Sequence, residues 1–348
     1  MSLTRRHLIT SALSLAAIHA YPGLSQAQAR RLVFATFTGS WEEAHRDVLV
    51  PAFRSANNNA EITLDPMLSV DQIAKVKAAL NNPPIDVMLH DPGPALQAID
   101  QGLVDAYPVA QSAHYKDLIA DAQDSMGPAP FFQVVGITYN PDKIKTPPTS
   151  WADIWKPEFK GRVGITNLNS TLGTGFLVEI ARMRGGNEAN VDAGFKAIEE
   201  LKPNLAAVAA NPGSLASLYQ QGQIDIGPGN FNAIQILKAR GVPVEFVAPK
   251  EGAIAFKTTI HVVKNSPNKE LAAKLIEAAL SPEVQTKLMQ SPYLIVPTNT
   301  KVKMGGEIAK VLAKDHDDMK KRFVFQDWKM INQQRAGWIE KFNRDIKL

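Results

Sequence analysis

Four short stretches of the chain gather small, polar and hydroxyl-bearing residues where an apolar run gives way to a helical pattern. They are Thr38-Gly39-Ser40-Trp41, His90-Asp91, Asn167-Leu168-Asn169-Ser170-Thr171-Leu172-Gly173-Thr174 and Gly227-Pro228-Gly229-Asn230-Phe231. A helix start offers free N–H groups and the positive end of the helix dipole, which favour an anionic group. Ser, Thr and Asn side chains add neutral hydrogen bonds. The same residue types also serve ordinary helix capping, so one junction alone says little. Four of them, shared between two α/β units able to face each other, point to a cleft beyond the carboxyl ends of the strands. Further along, Phe256 and Thr258 fall on one face of a strand and Lys257 on the other.

Catalytic chemistry has far less support. The chain lacks a G-x-S-x-G elbow, a complete phosphate loop and an H-E-x-x-H pair. Gly173-Thr174-Gly175 begins like a dinucleotide fingerprint, but Val178 stands where the third glycine belongs. Beyond residue 29 the histidines are His45, His90, His114, His261 and His316, and none lies four residues from another. With zero cysteine as well, no metal site, cofactor, disulfide or thiol nucleophile is expected. A net charge of +4 over 348 residues is too small and too evenly spread to suggest nucleic acid.

The elements that must position these junctions follow from periodicity. Strands are expected at 32–37, 61–67 and 85–89, alternating with helices at 41–55 (capped by Ser40) and 71–80. The turn Asp91-Pro92-Gly93-Pro94 starts another helix. This β-α-β-α-β order argues for a mainly parallel sheet covered by helices. After Gly127-Pro128-Ala129-Pro130 a second α/β unit begins. Its strands are expected at 134–139, 162–166, 224–227, 244–247 and 254–263, its helices at 171–184, 191–201 and 214–221. Leu271, Leu275, Ile276 and Ala279 share one face of a helix over 269–280, and the last forty residues read as helical.

Residues 1–29 have the plan of an export signal. Arg5 and Arg6 precede an apolar run from Leu8 to Ile18, and Ala27-Gln28-Ala29 is a small-x-small cleavage pattern. Thr4-Arg5-Arg6-His7-Leu8 resembles a twin-arginine signal, although a general secretion signal fits the same basic start. Cleavage near Ala29 would remove two positive charges and no acid, taking the net charge from +4 to +2. A periplasmic protein without a lipid anchor is expected.

The chain resembles the periplasmic substrate-binding proteins of ABC importers, in the branch that includes the spermidine/putrescine binders. The resemblance is carried in order by Gly39-Ser40-Trp41-Glu42-Glu43-Ala44, Val135-Gly136-Ile137-Thr138-Tyr139-Asn140, Pro147-Pro148-Thr149-Ser150-Trp151-Ala152-Asp153-Ile154-Trp155, Lys160-Gly161-Arg162-Val163, Pro249-Lys250-Glu251-Gly252 and Ser281-Pro282-Glu283-Val284-Gln285. It implies a type II periplasmic-binding fold: two interleaved α/β lobes, a hinge of crossing strands, and a ligand cleft between the lobes. The crossings should fall near 132–135 and 253–256. Lobe 1 would take 31–133 plus 257–300, and lobe 2 would take 134–256 plus 301–348. Trp151, Trp155, Trp328 and Trp338 would pack lobe 2. The partners implied are a small-molecule ligand and a permease–ATPase complex at the inner membrane, with the binding protein a monomer.

The departures from the polyamine binders bear on the ligand. In those proteins an aromatic residue is followed two positions on by an aspartate, where this chain has Phe256 and Thr258. They carry a tryptophan at the Asn230 position, and acids at the helix start that here is neutral Asn169–Thr174. A polyamine would lose most of its counter-charges, and burying unpaired charge is unfavourable by several kcal/mol. The expected ligand is a small organic anion or zwitterion, resembling an amino acid, carboxylate or phosphonate. Its acid group would rest on Ser170, Thr171 and Thr174, with Thr38, Ser40, His90, Asn169, Asn230 and Thr258 adding polar contacts. Trp41, Phe132 and Phe256 would supply apolar walls. Asp91 either pairs with a ligand amine or caps its own helix, and Lys257 points away. The alternatives are a polyamine binder, a secreted enzyme on the same fold, or a periplasmic sensor using the same cleft.

Overall fold

The computed structural model describes residues 31–346, so the expected export signal lies outside the described residues. The strands are β1 (Leu32–Thr36), β2 (Ile62–Pro66), β3 (Val87–His90), β4 (Val104–Asp105), β5 (Phe131–Tyr139), β6 (Val163–Thr166), β7 (Leu205–Ala209), β8 (Ile226–Asn230), β9 (Glu245–Val247), β10 (Ala253–Val263), β11 (Val296–Pro297) and β12 (Phe323–Val324). The α-helices are α1 (Ser40–Ala44), α2 (Val50–Ala56), α3 (Ser69–Ala78), α4 (Pro92–Asp100), α5 (Thr171–Met183), α6 (Asp192–Leu201), α7 (Pro212–Gln220), α8 (Phe231–Ala239), α9 (Lys269–Leu280), α10 (Pro282–Met289), α11 (His316–Arg322), α12 (Trp328–Asn332) and α13 (Arg335–Asp345). None of the described helices is long and apolar enough to cross a membrane.

One sheet path runs β2-β1-β3-β10-β5-β8-β6-β7. Its two ends are parallel: β1 pairs with β2 and β3, and β6 pairs with β7 and β8. Between them β10 and β5 run antiparallel, with Phe256 opposite Gln133, Lys257 opposite Phe132 and Thr258 opposite Phe131. Each parallel end is therefore an α/β unit of its own, and the β5–β10 pair is the only part of the main path where strands of one unit hand over to the other. This is a mixed α/β fold built of two units, as expected.

Four local departures from the expected elements have physical causes. Ser40 is not a cap: Gly39 takes that position with φ +71, which suits only glycine, and Ser40 begins α1. The long first helix widens into a π turn at His45–Leu49 just before Pro51, whose ring would otherwise crowd the carbonyl one turn back. In the second unit, β7 has the sequence Leu-Ala-Ala-Val-Ala, too poor in β-branched residues to stand out. The strand expected at 224–227 lies instead at Ile226–Asn230. Gly227 is required there, since a Cβ would sit 2.0 Å from the Gly164 carbonyl oxygen. Pro228 is tolerated because β6 pairs with β8 only at Val163–Ile226, leaving the rest of that edge free of ladder bonds.

The C-terminal helices close over the second unit. Trp328, Ile331, Trp338 and Phe342 join one apolar core with Val135, Phe176 and Phe256. Trp151 is fully buried, and both Trp151 and Trp155 pack on Phe176, at 5.6 and 6.1 Å between ring centroids. Asn332 of α12 also donates to the Gly93 carbonyl in the first turn of α4, 2.7 Å away, so this segment touches both units.

Candidate binding cleft

A cavity of about 160 Å³ opens between the two units. It is lined at the carboxyl end of β1 by Thr38, Gly39, Ser40 and Trp41, beyond β2 by Leu68, and after β3 by Asp91. The facing wall comes from Ser170, Thr171 and Leu172 after β6, Pro212 and Gly213 after β7, and Asn230 at the end of β8. Gln133 of β5 and Phe256 of β10 form the floor. Every parallel strand thus aims its carboxyl end at this space, where open α/β sheets bind ligands.

The polar groups on the floor are joined through Gln133. Its Nε2 donates to Asp91 Oδ1 at 2.6 Å and to Thr258 Oγ1 at 3.2 Å, and its Oε1 accepts from Asn230 Nδ2 at 3.4 Å. Asn230 Oδ1 is buried with no partner among the described residues. Burial pushes the Asp91 carboxyl up, while hydrogen bonds from Thr171 and Gln133 and the Arg335 charge pull it back. Asp91 occupies the N-cap position of α4 but makes no side-chain cap bond; its carboxylate turns to the cleft instead. On the opposite side, α5 begins at Thr171 with no side-chain cap, so its first turn faces the cavity with free N–H groups.

The two walls touch at the mouth. Asn232 Nδ2 donates to Ser40 Oγ at 3.0 Å, and Arg240 Nη2 meets Glu43 Oε2 at 2.5 Å. A Cβ on Gly39 would lie 3.7 Å from the Gly213 Cα. The cleft is closed.

Of the residues singled out in the sequence, Thr38, Ser40, Trp41, Asp91, Ser170, Thr171, Asn230 and Phe256 line the cavity. Five do not. Phe132 is opposite Lys257 in the β5–β10 register, and paired residues share a face, so it looks out of the other side of the sheet. There it meets Phe325, 5.9 Å between centroids. His90 is fully buried against His261, 5.2 Å away, and burial, helped by His261, holds its pKa well below the usual value. Thr174 is fully buried behind the helix start and donates to the Leu168 carbonyl at 2.8 Å. Asn169 is exposed, and Thr258 lies beneath Gln133. Lys257 points away as expected and donates to the Asp121 carbonyl, 3.0 Å away.

Gln133, Leu68, Gly213 and Arg335 were not foreseen. Gln133 is opposite Phe256, which places it on the cleft face once the register is known. No local signal marks Arg335, whose contacts with residues 168–174 span more than 160 positions. A larger cavity of about 570 Å³, lined by Phe132, Lys257, Thr259, His261 and Phe325 among others, lies across the sheet, away from the convergent polar groups. Among the described residues no group of three or more His, Asp or Glu gathers to hold a metal ion.

The fold and the cleft define a solute-binding protein. Residues 82–334 match the family of bacterial extracellular solute-binding proteins, and the chain belongs to that family. It is a binding protein, not an enzyme. A spermidine/putrescine-binding periplasmic protein of Escherichia coli is 31% identical over 147 residues, which cover 41% of each chain. The match thus spans less than half the length of that relative. A gamma-aminobutyric acid-binding protein of Pseudomonas aeruginosa is 26% identical over 303 residues, covering 82% of each chain. Among solved structures, a periplasmic binding protein of Actinobacillus pleuropneumoniae with bound fructose-6-phosphate has a TM-score of 0.74 at 23% identity, covering 91% of this chain and 99% of the other.

Proposed function

We propose that this protein is the extracytoplasmic receptor of an ABC importer, and that it captures a small zwitterion carrying one amine and one acid group. The observation that carries the reading is the pair of acceptors at the floor, the half-buried Asp91 carboxylate, which accepts from Gln133, and the buried, unpartnered Asn230 Oδ1, whose amide nitrogen donates to the same Gln133. Two acceptors aimed at one space call for a donor, and an ammonium supplies three. The uncapped start of α5 seats the acid group on the N–H groups of its first turn. Trp41 and Phe256 flank the carbon chain. The resemblance to the Pseudomonas aeruginosa relative, which is named for gamma-aminobutyric acid, supports the same ligand class.

A polyamine is the second reading, favoured by Asp91 and by the Escherichia coli relative. Against it, the only other carboxylate lining the cavity among the described residues, Glu43, is already paired with Arg240. A second ammonium would be buried without a counter-charge.

In this reading residues 31–133 and 257–300 form one lobe and 134–256 and 301–348 the other. The β5–β10 pair acts as the hinge, and closure buries the ligand and presents a shape to the permease. Residues 1–29 would direct a monomer to the periplasm. A thermal-shift screen of residues 31–348 against ω-amino acids, aminophosphonates, organic acids and diamines tests the ligand class. A ligand that binds only the folded state raises the midpoint. Amino acids or aminophosphonates should give the largest shift; a shift with diamines alone contradicts the proposal.

A further inference from the structure

Arg335 opens α13 and is 3% exposed. Its Nε donates to Thr174 Oγ1 at 3.1 Å, and its Nη2 to the carbonyl oxygens of Leu168 at 3.2 Å and Asn169 at 2.9 Å. The guanidinium also lies over the Trp328 ring, 5.7 Å from its centroid. All these partners are neutral, and no described carboxylate lies within ion-pair distance of it. A buried cation without a direct partner is unfavourable unless an opposite charge stands near. The nearest candidate is Asp91, which lines the cavity with Ser170 and Thr171, directly after the Leu168 and Asn169 carbonyls that Arg335 holds; its charge favours the Arg335 cation. Asp91 lines the cavity with Ser170 and Thr171 in front of the α5 start, and Arg335 sits behind it, on Thr174 and the carbonyls just before Ser170.

We infer that Arg335 is a positioning residue that sets the net charge of the ligand the cleft accepts. It holds the Leu168–Asn169 carbonyls so that the first turn of α5 keeps its aim, and its charge balances Asp91 across that turn. With one fixed negative and one fixed positive charge, the site is neutral before the ligand enters. A zwitterion leaves it neutral, a diamine adds two uncompensated positive charges, and a simple carboxylate adds one negative charge. Low-dielectric surroundings magnify each imbalance. The inference rests on the zwitterion reading given above and adds the residue that enforces it.

The experiment is calorimetric titration of residues 31–348 with γ-aminobutyrate, putrescine and butyrate at fixed ionic strength, in wild type, Arg335→Met, Arg335→Lys and Asp91→Asn. Wild type should prefer γ-aminobutyrate. Arg335→Met should move the preference toward putrescine by about tenfold or more, whereas Arg335→Lys, which keeps the charge, should hold the wild-type ratio within about threefold. Asp91→Asn leaves Arg335 unbalanced and should move the preference toward butyrate; it carries the test alone if Arg335→Met does not fold. Unchanged ratios in the folded variants, even with both affinities lowered, overturn the charge-setting role and leave the zwitterion reading standing. A wild type that prefers putrescine overturns the zwitterion reading itself, and this inference with it.

Discussion

Arg240 at the end of α8 and Glu43 on α1 form an ion pair across the mouth of the cleft, joining the two units. The two side chains are 52% and 29% exposed, so solvent screens the attraction. An exposed pair of this kind contributes about 0.3–1 kcal/mol. If the units part on the proposed β5–β10 hinge, the pair breaks and its whole contribution enters the closing equilibrium. Arg240→Ala should therefore weaken apparent ligand affinity about two- to fivefold, with no change in the unfolding midpoint of the free protein beyond about 1 °C. The neighbouring Asn232–Ser40 bond at 3.0 Å is neutral and should add about 0.5–1.5 kcal/mol of its own. Arg240→Ala with Asn232→Ala should then lose about four- to seventyfold if the two contributions add. Calorimetric titration at low and high salt, with small-angle scattering to follow the closed fraction, reads both quantities. The wild-type affinity should fall with salt more than that of Arg240→Ala. The exchange Glu43→Arg with Arg240→Glu restores affinity if the pair is a latch. If Arg240→Ala binds as tightly as wild type at low salt, or if the exchanged pair stays weak, the latch is refuted.

Three further outcomes follow from the same geometry. Asp91→Asn keeps the shape of the floor but removes the ammonium's counter-charge, so an amine-bearing ligand should bind about thirtyfold more weakly, a loss of about 2 kcal/mol by calorimetry; unchanged affinity would falsify the ammonium seat. Gly213→Leu places a side chain where a Cβ already comes within 3.3 Å of Thr38 Oγ1, so it should prop the mouth open. Ligand affinity should drop about tenfold while scattering of the ligand-mixed protein stays that of the open form. Burial lowers the pKa of His45 to about 3 and of His261 to about 4, and that of His90 well below 6.5. Below pH 6.5 the unfolded chain takes up protons at these positions first, so their contribution to stability is lost as pH falls toward those folded values. Glu179, raised by burial to about 7, and Asp91, also raised, work the other way above their ordinary values. The net loss should be roughly 1–3 kcal/mol per pH unit between pH 6 and 4.5, measured by urea unfolding; a flat profile there contradicts neutral buried histidines.

Periodicity carried the regular elements well. Four apolar residues on one face place α9 at Lys269–Leu280, where it is found. Elements whose existence depends on a neighbour were harder. The strand β7 is an alanine-rich segment that pairs only with β6, and β8 is shifted onto Gly-Pro-Gly because that backbone must approach Gly164 closely. The junctions at the strand ends were legible because helix starts have a composition of their own. Which side chains reach the cavity was not. Alternation along β5 separates Phe131 and Gln133 from Phe132, but the register with β10 decides which set faces the ligand. His90 precedes the junction acid yet points into the sheet toward His261. Arg335 arrives from the far end of the chain, and only the packing of the C-terminal helices brings it to Thr174.

The most direct test of the central claim is a crystal structure of residues 31–348 with the tightest-binding compound from the thermal-shift screen. The ligand should lie between the lobes, its amine within hydrogen-bond reach of Asp91 and Asn230 Oδ1 and its acid group on the first turn of α5. A ligand with its acid group turned to Asp91, or one seated across the sheet beside Phe132 and Lys257, would contradict the account.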